Sequence, residues 1–179
     1  MVDASVLSAA GASEEGPAQP CRDALLAILR ICHRVGVSED IEEEWREHSS
    51  AFSLTWRVAM ESRNKIIRVS DQADTSFRSR VVMALDAAMA ESPTAMDDLA
   101  EEAARRALEK DCHLLQAAVN LDRVVVSLDR TARRLAEKAA ARCRELRAVV
   151  WVDPTEADSV QAWLEGGARL TDRRRLGDA

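Results

Sequence analysis

Short runs of β-branched residues alternate along the chain with longer stretches in which apolar residues recur at helical spacing. Ala24, Leu25, Ile28 and Leu29 follow the spacing of an amphipathic helix, whereas 124–126 is an unbroken valine run of the kind that forms buried strands. Over the whole chain, the pattern predicts strands at 33–37, 65–69, 123–128 and 148–152. It predicts helices at 21–32, 38–48, 52–62, 77–90, 94–109, 111–119, 130–147 and 156–164.

This alternation is typical of an α/β fold, because parallel strands need crossover connections whose helices cover the faces of the sheet. We expect one domain at 1–165, built on a central parallel sheet of about four to five strands with helices on both faces. The polar, arginine-rich residues 166–179 are expected to form a disordered tail. The sequence shows no internal repeat and no second domain.

Composition favours a folded protein over a disordered or membrane-spanning one. Of the 179 residues, 47% are hydrophobic and 31% are charged, and no apolar run approaches the roughly 20 residues that span a bilayer. The N-terminus has no basic stretch followed by an apolar one, so we expect no signal peptide and a cytoplasmic protein. The cysteines and histidines lack paired spacing, which disfavours a disulfide framework, a zinc site and a Cys–His nucleophile.

Acidic residues stand near four predicted strand ends or helix starts. They are Asp3, one of Glu42–Glu44, Asp111 and Asp129. In a parallel α/β sheet these junctions share one edge, so the acids could converge. Two carboxylates about 4 Å apart repel by roughly 4 kcal/mol at an effective dielectric of about 20, so a converging group needs a proton or a cation. Mg²⁺ or Mn²⁺ would suit such oxygen ligands. The alternative is that each acid caps a helix or is a solvated surface charge.

The net charge of −6 is unevenly distributed. Residues 39–47 carry six acids against one base, and residues 130–147 carry seven bases against two acids. Basic residues recur at every fourth position of the second region, at Arg130, Arg134, Lys138 and Arg142. We interpret them as a ridge on one helix that, with the arginines of the tail, neutralises RNA phosphates. The alternative is an ordinary solvated helix face.

Four short motifs resemble those of PIN-domain proteins. They are V-D-A-S-V-L at 2–7, S-x-x-I-x-x-E-W at 38–45, D-x-H-L-x-x-A-A at 111–118 and V-V-S-L-D at 125–129. Members of this family are Mg²⁺- or Mn²⁺-dependent nucleases, mostly ribonucleases, and many are toxins of bacterial toxin–antitoxin pairs. The resemblance covers residues 1–155 and is carried more by the order of the motifs than by any one of them. It implies a PIN-like fold and hydrolysis of RNA phosphodiester bonds by metal-activated water, without a side-chain nucleophile.

By motif, the resemblance assigns catalytic and metal-binding roles to Asp3, Glu44, Asp111 and Asp129. Glu43 is the alternative to Glu44, because the glutamate run leaves the register open. Ser5 and Ser127 fall where the family often has a hydroxyl that supports the site. The first strand departs from the family pattern, since only Met1 and Val2 precede Asp3. We therefore expect the reading frame to continue upstream with further apolar codons.

The resemblance implies an RNA substrate and allows a cognate antitoxin protein and a homodimer as partners, with no role for a membrane. Two alternatives keep the fold and change the function. The protein could be a non-catalytic PIN-fold interaction module that works through a partner protein. It could also be a nuclease that acts on DNA, because the sequence contains no visible base-reading element.

Overall fold

The computed structural model describes residues 1–12, 16–69, 75–91, 98–156, 160–170 and 174–178. Their α-helices, α1 to α8, lie at Ala4–Ala9, Ala18–Arg30, Glu39–His48, Ala51–Ser62, Thr75–Glu91, Asp98–Asn120, Arg130–Ala140 and Val160–Glu165. Strands β1 to β4 lie at Val35–Val37, Ile66–Arg68, Val124–Val126 and Val150–Val152, and 3-10 helices at Leu146–Ala148 and Leu176–Asp178. The α/β class is confirmed, and each of these strands falls inside a segment predicted as a strand.

The strands pair in parallel, but within the described residues they form two separate two-stranded sheets, β1 with β2 and β3 with β4. The expected central sheet of four to five strands is not seen in this part of the chain. The segment Met1–Asp3 adds one isolated parallel bridge, between Val2 and Val126. The carbonyl of Val2 accepts a hydrogen bond from the indole Nε1 of Trp45 at 2.9 Å, so a side chain stands where a further strand would pair.

Helix α6 corrects the predicted break near Asp111. It runs without interruption from Asp98 to Asn120, so Asp111 lies inside a helix and not at the start of one. The apolar spacing continues through this point, with Leu108, Cys112 and Leu115 buried. No glycine or proline interrupts the stretch, so the helix continues through Asp111.

The basic helix predicted at 130–147 is also shorter than expected, since α7 ends at Ala140. The guanidinium group of Arg147 turns back and donates to the carbonyls of Ala140 and Ala141, at 3.0 and 2.6 Å. A cation at this position satisfies carbonyl groups that the last helical turn leaves unpaired. Arg142 therefore lies beyond the helix on which the sequence placed it.

The chain divides into two compact units. Unit 1 comprises Met1–Asp71, Val125–Leu128 and Val152–Arg169. In this unit α1 packs on α3, and α2 packs on α4 and α8. The β1–β2 sheet places Val35 opposite Ile66. Two buried tryptophans, Trp45 and Trp56, meet edge-to-face with their ring centroids 5.9 Å apart, which joins α3 to α4.

Unit 2 comprises Gln72–Val124, Asp129–Trp151 and Leu170–Ala179. Helices α5, α6 and α7 pack on one another, and Arg105 of α6 pairs with Asp86 of α5 at 3.0 Å. Residues 174–178, inside the segment predicted as a disordered tail, also pack in this unit. Leu176 is buried, and its backbone N–H donates to the carbonyl of Val149 at 2.9 Å. One apolar residue within a polar run thus has a place in the core of this unit.

Candidate functional site

Asp3 lies at the junction between the N-terminal segment and α1. Its backbone N–H donates to the carbonyl of Val126 at 2.9 Å, and the N–H of Val126 donates to the carbonyl of Met1 at 3.0 Å. These bonds hold the segment in parallel register with Val126. Asp3 occupies the N-cap position of α1, yet its side chain makes no capping hydrogen bond. The carboxylate has other partners.

Two serine hydroxyls hold one oxygen of the Asp3 carboxylate. Ser5 Oγ and Ser127 Oγ each donate to Asp3 Oδ2 at 2.5 Å. The N–H of Leu128 in turn donates to Ser5 Oγ at 3.1 Å. We call Asp3, Ser5 and Ser127 the Asp3 cluster. Hydroxyl-to-carboxylate bonds of about 2.5–2.7 Å belong to the strong, charge-assisted class, so the carboxylate is held in a defined orientation.

Glu44 lies on α3, in the same unit as Asp3, and is half-buried. The next residue, Trp45, is 1% exposed and donates its indole N–H to the carbonyl of Val2 at 2.9 Å. Val2 immediately precedes Asp3. One buried hydrogen bond therefore links the neighbour of Glu44 to the neighbour of Asp3.

The three consecutive glutamates of α3, residues 42–44, lie in different environments. Ser38 caps this helix, with its Oγ accepting from the N–H of Ile41 at 3.3 Å. Glu42 Oε1 accepts from Arg57 and Glu42 Oε2 from Arg68, and the Glu42 side chain is only 19% exposed. Glu42 therefore holds α3 in place. Of the run's other two acids, Glu43 is exposed and Glu44 is half-buried.

The other two assigned acids belong to unit 2. Asp129 is the N-cap of α7, and its Oδ1 accepts from the N–H groups of Thr131 and Ala132, both at 2.8 Å. This is the capping role that the sequence left open as the alternative for each acid. Asp111 is half-buried in the interior of α6. The structure thus brings Asp3 together with Ser5 and Ser127, and places Asp111 and Asp129 on separate helices of the other unit.

The predicted basic ridge is shorter than the sequence suggested. Arg130, Arg134 and Lys138 lie on α7 and are exposed. Arg142 lies beyond the helix and forms an ion pair with Glu91. We therefore define the basic ridge as Arg130, Arg134 and Lys138. It begins directly after Asp129 and follows one helix.

The two assigned acids of unit 1, Asp3 and Glu44, carry oxygen groups of the kind that a hard divalent cation prefers. Within the described ranges, no three His, Cys, Asp or Glu side chains lie close enough together to hold a metal ion. Mg²⁺, however, usually keeps several waters and binds proteins through one or two carboxylates. Asp3, whose carboxylate is oriented by two hydroxyls, and Glu44 supply groups of this kind.

Comparison of the chain with protein-family models, with curated proteins and with solved structures gave no match. The resemblance to PIN-domain proteins therefore rests on the motifs quoted above and stays a prediction. Among the helices of the described residues, none has both the length and the apolar character needed to cross a membrane.

Asp153 is a buried acid that the sequence did not single out as a candidate. It follows β4 in unit 1, is 3% exposed, and its Oδ1 accepts from the N–H and the hydroxyl of Thr155 at 2.8 and 2.6 Å. Burial, and secondly the negative charge of Asp153, raise the pKa of the Cys21 thiol to about 12. In the sequence, Asp153 stands in Asp-Pro-Thr after an apolar run, and this pattern indicates a turn and not a functional site.

Proposed function

We propose that the protein is a metal-dependent endoribonuclease with a PIN-like fold. The acids that hold Mg²⁺ or Mn²⁺ in this proposal are Asp3, Glu44, Asp111 and Asp129. The observation that carries it is the Asp3 cluster. A carboxylate at a helix N-cap ordinarily bonds the N–H groups of its own helix, as Asp129 does. The Asp3 carboxylate leaves its helix uncapped and is oriented by hydroxyls from Ser5 and Ser127, as expected of a carboxylate that serves a ligand.

In this proposal the chain's own residues bind and orient. Two hydroxyl donors fix the direction of the Asp3 carboxylate, and the N–H of Leu128 fixes the Ser5 hydroxyl in its turn. Mg²⁺ or Mn²⁺ held by these acids would polarise the phosphodiester of the RNA and lower the pKa of the water that attacks it. The basic ridge neutralises phosphates of the RNA, which contributes affinity that falls as salt rises.

A non-catalytic interaction module with the same fold is the second candidate function. The capping role of Asp129 favours it, as does the lack of a three-acid group within the described residues. The resemblance also leaves two forms of the nuclease proposal open. In one, the protein is a toxin with a cognate antitoxin and works as a monomer or homodimer. In the other, the protein is an enzyme that cleaves DNA. Comparing cleavage of RNA with cleavage of DNA separates the ribonuclease from the DNA nuclease, and a protein that cleaves neither favours the interaction module.

Cleavage of labelled RNA and of DNA with the same base sequence tests the proposal, in Mn²⁺, in Mg²⁺ and in EDTA. We expect metal-dependent cleavage of RNA by the parent protein. Asp3→Asn and Glu44→Gln should each lower the rate by about a hundredfold or more, because second-shell changes alone cost about 10–100-fold at metal sites. Glu47→Gln, an exposed acid one turn further along α3, is the matched control and should retain the parental rate.

The outcomes discriminate between the candidates. An Asp3→Asn variant as active as the parent removes Asp3 from the mechanism. Activity that survives EDTA rules out the metal-dependent reaction. A parent protein that binds RNA but cleaves neither substrate favours the interaction module. If Glu43→Gln abolishes cleavage and Glu44→Gln does not, the second metal-binding acid is Glu43 and not Glu44.

The basic ridge has its own test, with RNA binding measured in EDTA over a range of salt concentrations. Each phosphate contact to a single strand contributes about −0.7 to the slope of log K against log salt. The double variant Arg134→Ala/Lys138→Ala should therefore reduce the slope by about 1.4. Arg30→Ala/Arg34→Ala removes the same charge from exposed positions of unit 1 and is the control. Equal slopes for the two double variants exclude the ridge from the binding surface.

A further inference from the structure

We propose that Trp45 is a positioning residue for the metal-binding acids, and that it acts by setting α3 against the N-terminal segment. This inference rests on the proposed function, because it concerns how Asp3 and Glu44 are held relative to one another. Trp45 itself contacts neither the cation nor the substrate in this account. Its contribution is the hydrogen bond from its indole N–H to the carbonyl of Val2, at 2.9 Å.

The N-terminal segment is held from two directions. The carbonyl of Met1 and the N–H of Asp3 both bond to Val126, as the alternation of a parallel strand requires. The carbonyl of Val2, between them, points away from Val126 and receives the Trp45 indole. The segment contributes a single bridge to β3, so it has little strand pairing of its own to fix it. The indole takes the role that a neighbouring strand has in a longer ladder.

This hydrogen bond stands one residue from each acid of unit 1. Glu44 precedes Trp45 and Asp3 follows Val2, and consecutive Cα atoms are about 3.8 Å apart. The contact therefore joins the backbone next to Asp3 to the helix that carries Glu44. Trp45 is 1% exposed and Val2 is 1% exposed, so water does not compete for the bond. Packing of α1 on α3 supports the same register.

Trp56 provides a matched control within the same unit. It is 2% exposed and donates its indole N–H to a backbone carbonyl, that of Leu25, at 2.7 Å. Its ring packs edge-to-face on the ring of Trp45, with an interplanar angle of 62°. The two tryptophans thus share burial, aromatic contact and bond type. They differ in what the bond holds, since the Trp56 bond reaches α2 and the Trp45 bond reaches the segment that carries Asp3.

The experiment compares Trp45→Phe with Trp56→Phe in the full-length protein. Each change keeps a buried ring and removes one indole donor. Both variants should lower the urea midpoint of unfolding by similar amounts, because each leaves a buried carbonyl without its partner. Mn²⁺ affinity, measured by calorimetry, should fall by about tenfold for Trp45→Phe, the lower end of the effect of outer-shell residues on metal binding. It should stay within about twofold of the parent for Trp56→Phe.

Each result has a defined meaning. If Trp45→Phe binds Mn²⁺ as tightly as Trp56→Phe does, Trp45 has only a structural role and the inference is overturned while the proposed function stands. If the parent protein neither binds Mn²⁺ nor cleaves RNA, both are overturned together. If Trp45→Phe is unfolded by circular dichroism, the isosteric benzothienylalanine is placed at position 45 instead. This analogue keeps the shape of the indole without its N–H and carries the same prediction.

Discussion

The bond between Ser127 and Asp3 is the contact of the candidate site whose contribution can be measured most cleanly. Ser127 is 0% exposed, and its Oγ donates to Asp3 Oδ2 at 2.5 Å. Its backbone N–H bonds separately to the carbonyl of Val152 at 3.0 Å, so Ser127→Ala removes the hydroxyl and leaves the ladder bond in place. A hydrogen bond to a charged group contributes about 1.5–3 kcal/mol to stability.

A double-mutant cycle isolates this term from the other consequences of each substitution. We expect Ser127→Ala and Asp3→Ala to couple by about 1.5–3 kcal/mol, because the second change costs less once its partner is gone. In urea, where slopes are about 1–3 kcal/mol per molar, a coupling near 2 kcal/mol corresponds to about 1 M in midpoint. Trp45 and Trp56 of unit 1 and Trp151 of unit 2 are all buried, so unfolding can be followed by tryptophan fluorescence.

Two further serine variants serve as comparisons for the stability change of Ser127→Ala. Ser5→Ala should cost more than Ser127→Ala, because it also leaves the N–H of Leu128 without its acceptor. Ser62→Ala removes an exposed hydroxyl that donates to the carbonyl of Ala59, and should change stability by less than about 0.5 kcal/mol. A coupling below about 0.5 kcal/mol between positions 3 and 127 would refute the strong-bond description of the cluster.

Three other predictions concern α3, α7 and the cysteines. Glu42→Gln should lower the free energy of unfolding by about 1–2 kcal/mol in chemical denaturation, because Arg57 and Arg68 lose a charged acceptor, whereas the exposed Glu43→Gln should be neutral within about 0.5 kcal/mol. Asp129→Ala should cost about 1 kcal/mol of stability and Asp129→Asn only a few tenths, because asparagine caps a helix as well as aspartate does; loss of cleavage in both variants would show a role for the charge beyond capping. Burial raises the pKa of the Cys112 thiol to about 11, so that at pH 8 only about one thiol in a thousand is ionised, and mass spectrometry should find the exposed Cys32 modified by maleimide well before the buried cysteines; equal rates would contradict the burial of Cys112.

Local patterns predicted where β1 to β4 lie and where most of the helices lie. Short runs of β-branched residues predicted the strands, because strands buried on both faces are apolar throughout, and apolar spacing predicted the helices, because burial of one face dictates the helical period. The cap of α3 at Ser38 could be predicted because both bonding partners lie within four residues of one another. Helix ends were less predictable. The break expected before Asp111 is absent, because the apolar spacing continues through that residue and no glycine or proline interrupts it.

The contacts that define the candidate site join residues that are far apart in sequence. Ser127 and Asp3 are 124 positions apart, and Trp45 and Val2 are 43 apart. No periodicity or propensity encodes such a pair, since it depends on how the elements pack. The PIN-domain resemblance named Asp3, Ser5 and Ser127 as site residues but carried no information on Trp45. The expected central sheet could not be checked from local pattern for the same reason. Which strands pair with one another depends on how distant parts of the chain pack.

Calorimetric titration of Mn²⁺ into the parent protein and into Asp3→Asn tests the central claim most directly. The substitution keeps the size of the side chain and an acceptor oxygen for the two serine hydroxyls, and removes the negative charge that a cation requires. We predict saturable binding to the parent, with affinity reduced by about tenfold or more in Asp3→Asn. Equal affinities, or no binding to the parent, would contradict the account of the Asp3 cluster as part of a metal site.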